Sequence, residues 1–121
     1  MNRQMTGRQN YQTGLAAEDV VRRRYLDDGY EVARSRWRGR SCEIDLIFRK
    51  GAEIVFAEVK ASVDFARAAQ SFSRRQLGHI VAAADEFLAM DAGHCNVQCR
   101  IDLALVDRQG RSQIIENVSM T

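Results

Sequence analysis

Apolar residues recur at helical spacing near the start of the chain: Leu15, Ala17, Val20, Val21, Tyr25 and Leu26. They form one stripe of a helix expected from Thr13 or Gly14 to about Asp28, with Gly29 as its stop. Glu18 lies three residues before Val21 and seven before Tyr25, so it borders that stripe. Tyr30 to Ser35 reads as a short strand. Two further strands are predicted over 43–48 and 53–60, joined through Arg49-Lys50-Gly51-Ala52, where Gly51 is the turn residue. A loop containing Phe65 and Phe72 follows. Ser73 then caps a helix whose apolar positions are Leu77, Ile80, Val81, Ala84, Phe87 and Leu88. Asp91-Ala92-Gly93 ends it. Val97, Cys99, Ile101, Leu103 and Leu105 alternate as a strand, and a turn at Arg108-Gln109-Gly110 leads to a last strand around Ile114 to Val118. Residues 1–12 are polar and aperiodic, which predicts a flexible arm before a single domain over 13–121. The order αβββαββ points to an α/β fold.

The hairpin of the second and third strands carries charge where a buried hairpin should not. One alternating set is Ile44, Leu46, Phe48, Val55, Ala57 and Val59, apolar throughout. The other is Glu43, Asp45, Ile47, Ile54, Phe56, Glu58 and Lys60, apolar beside the turn and charged at the far end. With Gly51 and Ala52 central in the turn, Lys50 opposes Glu53 and Asp45 opposes Glu58. A shift by two residues pairs Glu43 with Glu58 instead. A slip by one would send the two strands' charges to opposite faces. The hydrophobic pattern favours the first two registers, so three carboxylates and one ammonium are expected at one end of the sheet.

Facing carboxylates repel, and burial raises their pKa. A divalent cation removes the conflict, and oxygen-only ligands suit Mg²⁺ or Mn²⁺. Such an ion activates water toward a phosphodiester, and Lys60 would steady the developing negative charge. The plainer alternative is a solvated sheet face with weak ion pairs.

Composition changes the picture in two places. The chain has 121 residues, 45% hydrophobic and 28% charged, which suits one domain with a modest core. Its net charge is only +2, yet residues 1–40 hold nine Arg against five acids, so an anionic partner would meet that third first. The basic residues are 16 Arg and two Lys. Lys60 therefore stands out, because an ammonium has an adjustable pKa and a guanidinium does not. Arg34, Arg36, Arg38 and Arg40 alternate around Trp37 and would share one face of an extended chain. Guanidinium groups bind phosphate and an exposed indole stacks on a base, although Trp37 equally suits a core. Arg74 and Arg75 open the second long helix, where free N–H groups favour anions.

Other features exclude more than they suggest. No run of about 18 apolar residues exists, so no transmembrane helix is expected. The first residues lack the apolar centre of a signal peptide, which makes the cytoplasm the expected location. Cys42, Cys95 and Cys99 are too few and too irregular for a disulfide frame or, with His94, a complete zinc site. His79 and His94 suggest no catalytic role.

Cys42-Glu43-Ile44-Asp45 and Glu58-Val59-Lys60, with twelve residues between Asp45 and Glu58, resemble the Asp-x(n)-Glu-x-Lys signature of restriction-endonuclease-like nucleases. More of the chain resembles one family, the YraN-like proteins, whose members are often labelled endonucleases. The matching segments are Gly14-Leu15-Ala16-Ala17-Glu18, Gly29-Tyr30, Val55 to Lys60, Phe87-Leu88 and Arg100-Ile101-Asp102. This resemblance covers about residues 13 to 118. It implies a three-layer restriction-endonuclease-like fold with a central mixed five-stranded sheet flanked by helices, as in Holliday junction resolvases. It also implies that Glu18, Asp45, Glu58 and the Val59 carbonyl bind metal and that Lys60 assists the water; resolvase-like nucleases commonly pair as homodimers. Glu43 would stand behind the ligands or simply end the strand. Three positions depart from the family pattern: Cys42 replaces a Gly, Ser62 a basic residue and Arg75 a Lys. These bear on substrate contact more than on the metal set. The resulting expectation is a metal-dependent endonuclease acting on DNA, including branched DNA. A non-catalytic nucleic-acid-binding protein of the same fold and a protein-interaction domain are the alternatives.

Overall fold

The computed structural model describes residues 16–91 and 98–120. The expected arm over 1–12, the start of the first helix, His94 and Cys95 lie outside the described residues. The first helix (α1) covers 16–27 and stops at Gly29, whose φ of +91° is a backbone conformation that glycine adopts without strain. Strands β1 (Glu31–Arg38), β2 (Glu43–Lys50) and β3 (Glu53–Ala61) follow, then helices α2 (Phe65–Gln70) and α3 (Arg74–Met90). Strands β4 (Gln98–Val106) and β5 (Ser112–Ile115) close the sheet, and a 3₁₀ turn covers Val118–Met120.

The sheet has the order β1-β2-β3-β4-β5, antiparallel except for the parallel pair β3 and β4. A parallel pair needs a long crossover, and α2 with α3 supplies it. The expected order αβββαββ is present, with α2 as a short addition where a loop was expected. Asp64 caps α2 by accepting from the Arg67 N–H at 2.8 Å. Six residues are too short for the apolar periodicity that marks a helix in sequence. The cap of α3 is as predicted: Ser73 Oγ accepts from Gln76 N–H, and the Gln76 side chain accepts from Ser73 N–H, a full capping box. The last strand ends earlier than expected, because Asn117 turns at φ +56° and Val118 enters the 3₁₀ turn.

Two apolar layers bracket the sheet. On one side Ile80, Ala83 and Phe87 of α3 cover Ile47, Ile54, Phe56 and Ile101; on the other, Ala17, Val21 and Tyr25 of α1 cover Leu46, Phe48, Val55 and Ala104. This is the expected three-layer arrangement, and the hairpin's apolar set divides as its alternation predicts except at Ile44. With its cross-strand partner Trp37, Ile44 joins the α3 layer. The two lie just beyond Arg36, whose φ of +50° interrupts the pleat of β1. That interruption also overturns the expectation that Arg34, Arg36, Arg38 and Arg40 share one face, because regular alternation stops at Arg36. Buried Gly39 lets the loop after β1 lie against α3. A side chain there would meet Ala83 and Trp37 at 3.1 Å.

Asp102 is the one fully buried carboxylate among the described residues. It accepts from Tyr25 Oη at 2.6 Å, from Arg100 Nε at 2.9 Å and from the Asn117 N–H at 3.0 Å. Arg100 also reaches Glu53, which accepts from Tyr30 Oη at 2.8 Å. Burial and the Asp102 carboxylate hold the Tyr25 hydroxyl protonated far above the ordinary phenol range. Among the described residues no buried side-chain nitrogen or oxygen lacks a partner, so the network ties α1, β3, β4 and the chain end without an orphan group. Asp102→Ala should therefore cost about 3 kcal/mol, the low end for breaking a buried pair, since Arg100 keeps Glu53. Asp102→Asn should cost less, because it still accepts from Tyr25. Urea unfolding with an unchanged m-value would check both, and a loss below 1 kcal/mol for the alanine variant would contradict this account.

Candidate active site

The turn at Gly51 (φ +58°) sets β2 against β3 with Lys50 opposite Glu53, and the pairs run to Leu46 opposite Ala57. One step further the same register places Asp45 opposite Glu58. The regular ladder stops there, and the Val59 N–H donates to Asp45 Oδ2 at 2.8 Å. The hairpin therefore opens at its far end and turns two carboxylates toward each other. Lys60 Nζ lies 3.5 Å from Glu58 Oε2, on a side chain only 20% exposed.

Glu58, its side chain 13% exposed, lies next to a second acid, and its pKa is raised to about 9, first by desolvation. The hydrogen bond and charge of Asp45 push in the same direction, while Lys60 pulls it down. Glu58 in this state keeps its proton at neutral pH. Glu18, from α1, is the third acid. Its side chain is 15% exposed and its pKa is raised, first by burial and, against the pull of Arg36, also by the charge of Asp45. Arg36 Nε and Nη2 both donate to Glu18 Oε2 at 3.3 Å.

The structure thus brings Asp45, Glu58 and Lys60 together and leaves Glu18 within electrostatic reach, turned to Arg36. Glu43 does not join them. It is exposed and opposite Arg38 at the end of the sheet edge. Among the described residues, no three His, Cys, Asp or Glu side chains are gathered as a ready-made ion cage. Two adjacent carboxylates nevertheless fit Mg²⁺ or Mn²⁺, which keep waters and take one or two protein carboxylates plus substrate phosphate. Asp45 and Glu58 are the pair that could hold such an ion.

Comparison with known proteins decides the kinship. Residues 17–106 match the uncharacterised protein family UPF0102. The chain belongs to the UPF0102 family. A UPF0102 protein of Ruegeria pomeroyi is 52% identical over 111 residues, covering 92% of this chain and 90% of the relative. One from Cereibacter sphaeroides strain KD131 is 50% identical over 113 residues, covering 93% and 97%. One from Dinoroseobacter shibae is 42% identical over 118 residues, covering 98% and 88%. The YraN-like resemblance is thereby borne out.

All four proposed catalytic side chains fall inside the UPF0102 match. The basic positions around them fare unevenly. Arg34, Arg38, Arg40 and Arg75 are exposed, and Arg40 also anchors its loop, its N–H donating to Glu86 Oε2 at 2.9 Å. Trp37 packs, its ring edge-on to Phe87 with centroids 5.4 Å apart. Ser73 serves as the helix cap expected of it. His79 contributes a carbonyl, which accepts from Ser41 Oγ at 2.8 Å.

Sequence reasoning missed two partners of the site. Arg36 was read as a phosphate contact, and its left-handed backbone, which turns it to Glu18, has no sequence signal in an Arg. Cys42 is half-buried and close enough to Glu58 and Asp45 for their charges to raise its thiol pKa, after burial itself. Its nearness could have been suspected from its place just before the acidic segment.

Without a divalent ion, the folded protein retains the Glu58 proton over the range from 4.5 to about 9 where the unfolded chain releases it. The folded state then binds more protons, so this group's contribution to stability declines as pH rises through that window. Glu58→Gln should melt higher than wild type at pH 8 in EDTA, by roughly 4–8 °C per kcal/mol relieved. The difference should shrink toward pH 4. Thermal melts across that range check this, and a difference that does not vary with pH would contradict it.

Proposed function

We propose that this protein is a metal-dependent nuclease that hydrolyses phosphodiester bonds in DNA. The observation that carries the reading is the meeting of Asp45 and Glu58 at the open end of the hairpin, with the Lys60 ammonium 3.5 Å from Glu58. Asp45 and Glu58, with the Val59 carbonyl and Glu18 beside them, are the residues that would hold Mg²⁺ or Mn²⁺. Such an ion would supply an acidified water and a polarised phosphoryl oxygen. Lys60, its ammonium beside Glu58, would steady the attacking oxygen and the new negative charge. The Val59 N–H fixes the Asp45 carboxylate, so the pair is positioned before substrate arrives. Exposed Arg34, Arg38, Arg40 and Arg75 offer phosphate contacts.

A second reading is binding without cleavage. It is favoured by one observation: Glu18 is engaged by Arg36 rather than by its fellow acids. Incubating the purified chain with labelled linear, single-stranded and branched DNA in Mg²⁺ or Mn²⁺ separates the two. Cleavage should appear with the metal and vanish in EDTA. It should fall by about 10²-fold or more in Asp45→Asn and Lys60→Ala. Salt-sensitive binding that survives both changes and never yields product would establish the second reading and end the first.

A further inference from the structure

Arg36 is out of place in a strand. A non-glycine residue at φ +50° is a backbone outlier, and such outliers persist where the surroundings hold them and often where the strain has a use. What this one does is direct a guanidinium across to α1, onto Glu18. The contact is loose. Both nitrogens donate to the same oxygen, each at 3.3 Å, whereas a tight charged pair closes to about 2.7–2.9 Å, commonly through two parallel bonds. The Arg36 side chain is 40% exposed while Glu18 is 15% exposed, so the cation can leave for solvent more readily than the acid can.

Charge balance gives this pair a direction. Arg36, Lys60 and, through space, Arg22 are the cations that face Glu18, Asp45 and Glu58. A divalent ion and Lys60 together supply three positive charges to three carboxylates, and the Arg36 guanidinium becomes surplus. Arg36 also lies between Arg34 and Arg38 along β1, and both of these neighbours are exposed.

We propose that Arg36 is an exchangeable counter-ion of the site: it neutralises Glu18 while no metal is bound and, when a divalent cation takes over that carboxylate, it moves to a phosphate of the nucleic acid. The proposal rests on the reading of Asp45 and Glu58 as metal ligands and adds a coupling between ion and phosphodiester binding. Arg36 acts here as a positioning residue. Metal and guanidinium compete for one acid, so each weakens the other there.

The test measures Mn²⁺ affinity by isothermal titration calorimetry, without nucleic acid, on the full chain. Wild type is compared with Arg36→Ala and with Arg36→Gly, which accepts the positive φ without strain and keeps the experiment informative if the alanine variant folds poorly. Both variants should bind Mn²⁺ more tightly, by roughly fivefold or more, the lower range of ordinary site coupling. A second measurement follows the salt dependence of duplex-DNA binding, on ice, with the DNA verified as intact. With Mn²⁺ present the slope of wild type should exceed that of Arg36→Ala by about one, and in EDTA the two should coincide. Absence of Mn²⁺ binding to wild type would overturn the metal reading and the exchange together. Mn²⁺ binding that is equal or weaker in both variants would overturn the exchange alone and leave the metal reading standing.

Discussion

The pairing register between β2 and β3 is the constraint on which the rest of this molecule depends. Gly51 closes the turn with Lys50 against Glu53, and every later pair follows. That register sets Leu46, Phe48, Val55 and Ala57 under α1, and Ile47, Ile54 and Phe56 under α3. It also sets Asp45 and Glu58 at one end. A slip by one residue would bury the acids' neighbours on the wrong faces and separate the carboxylates. The two apolar layers therefore enforce the geometry of the charged end. Core packing keeps the two acids side by side.

The chain separates its two buried polar arrangements by function. Around Asp102 every charge has a complete set of partners: Tyr25, Arg100 and the Asn117 backbone. Such a network fixes the relative position of α1 and the sheet. At the open end of the hairpin the balance is left incomplete. Glu58 is held uncharged by burial and by Asp45, and Glu18 relies on a loose guanidinium. Strain at Arg36, an acid that keeps its proton and an ammonium occur together at the end of the hairpin where the proposed cation and phosphate would enter. A fully satisfied network would be more stable and would have nothing left to offer a ligand.

Much of the site was legible before any coordinates. Period-two alternation gave the two faces of the hairpin, and Gly51 gave its register, so the meeting of Asp45 with Glu58 followed from counting. The position of Glu18 at the edge of the α1 stripe followed from helical spacing. The cap at Ser73 and the place of Lys60 were readable for the same reason: each depends on neighbours a few residues away. Of the two readings of Glu43, the one that ends the strand holds, because alternation says which face a residue occupies but not where a ladder ends.

What the sequence by itself determined is the main elements, short α2 excepted, their pairing order along the hairpin, and the chemical types available at its open end. These are local properties, set by period, turn chemistry and side-chain class. Only the tertiary structure decided which of those groups are partners. The left-handed Arg36 that reaches Glu18, the Trp37 ring laid on Phe87 and the burial that raises Glu58 each depend on segments far apart in the chain closing in space. Side-chain spacing within one strand carries no information about a helix packed across it.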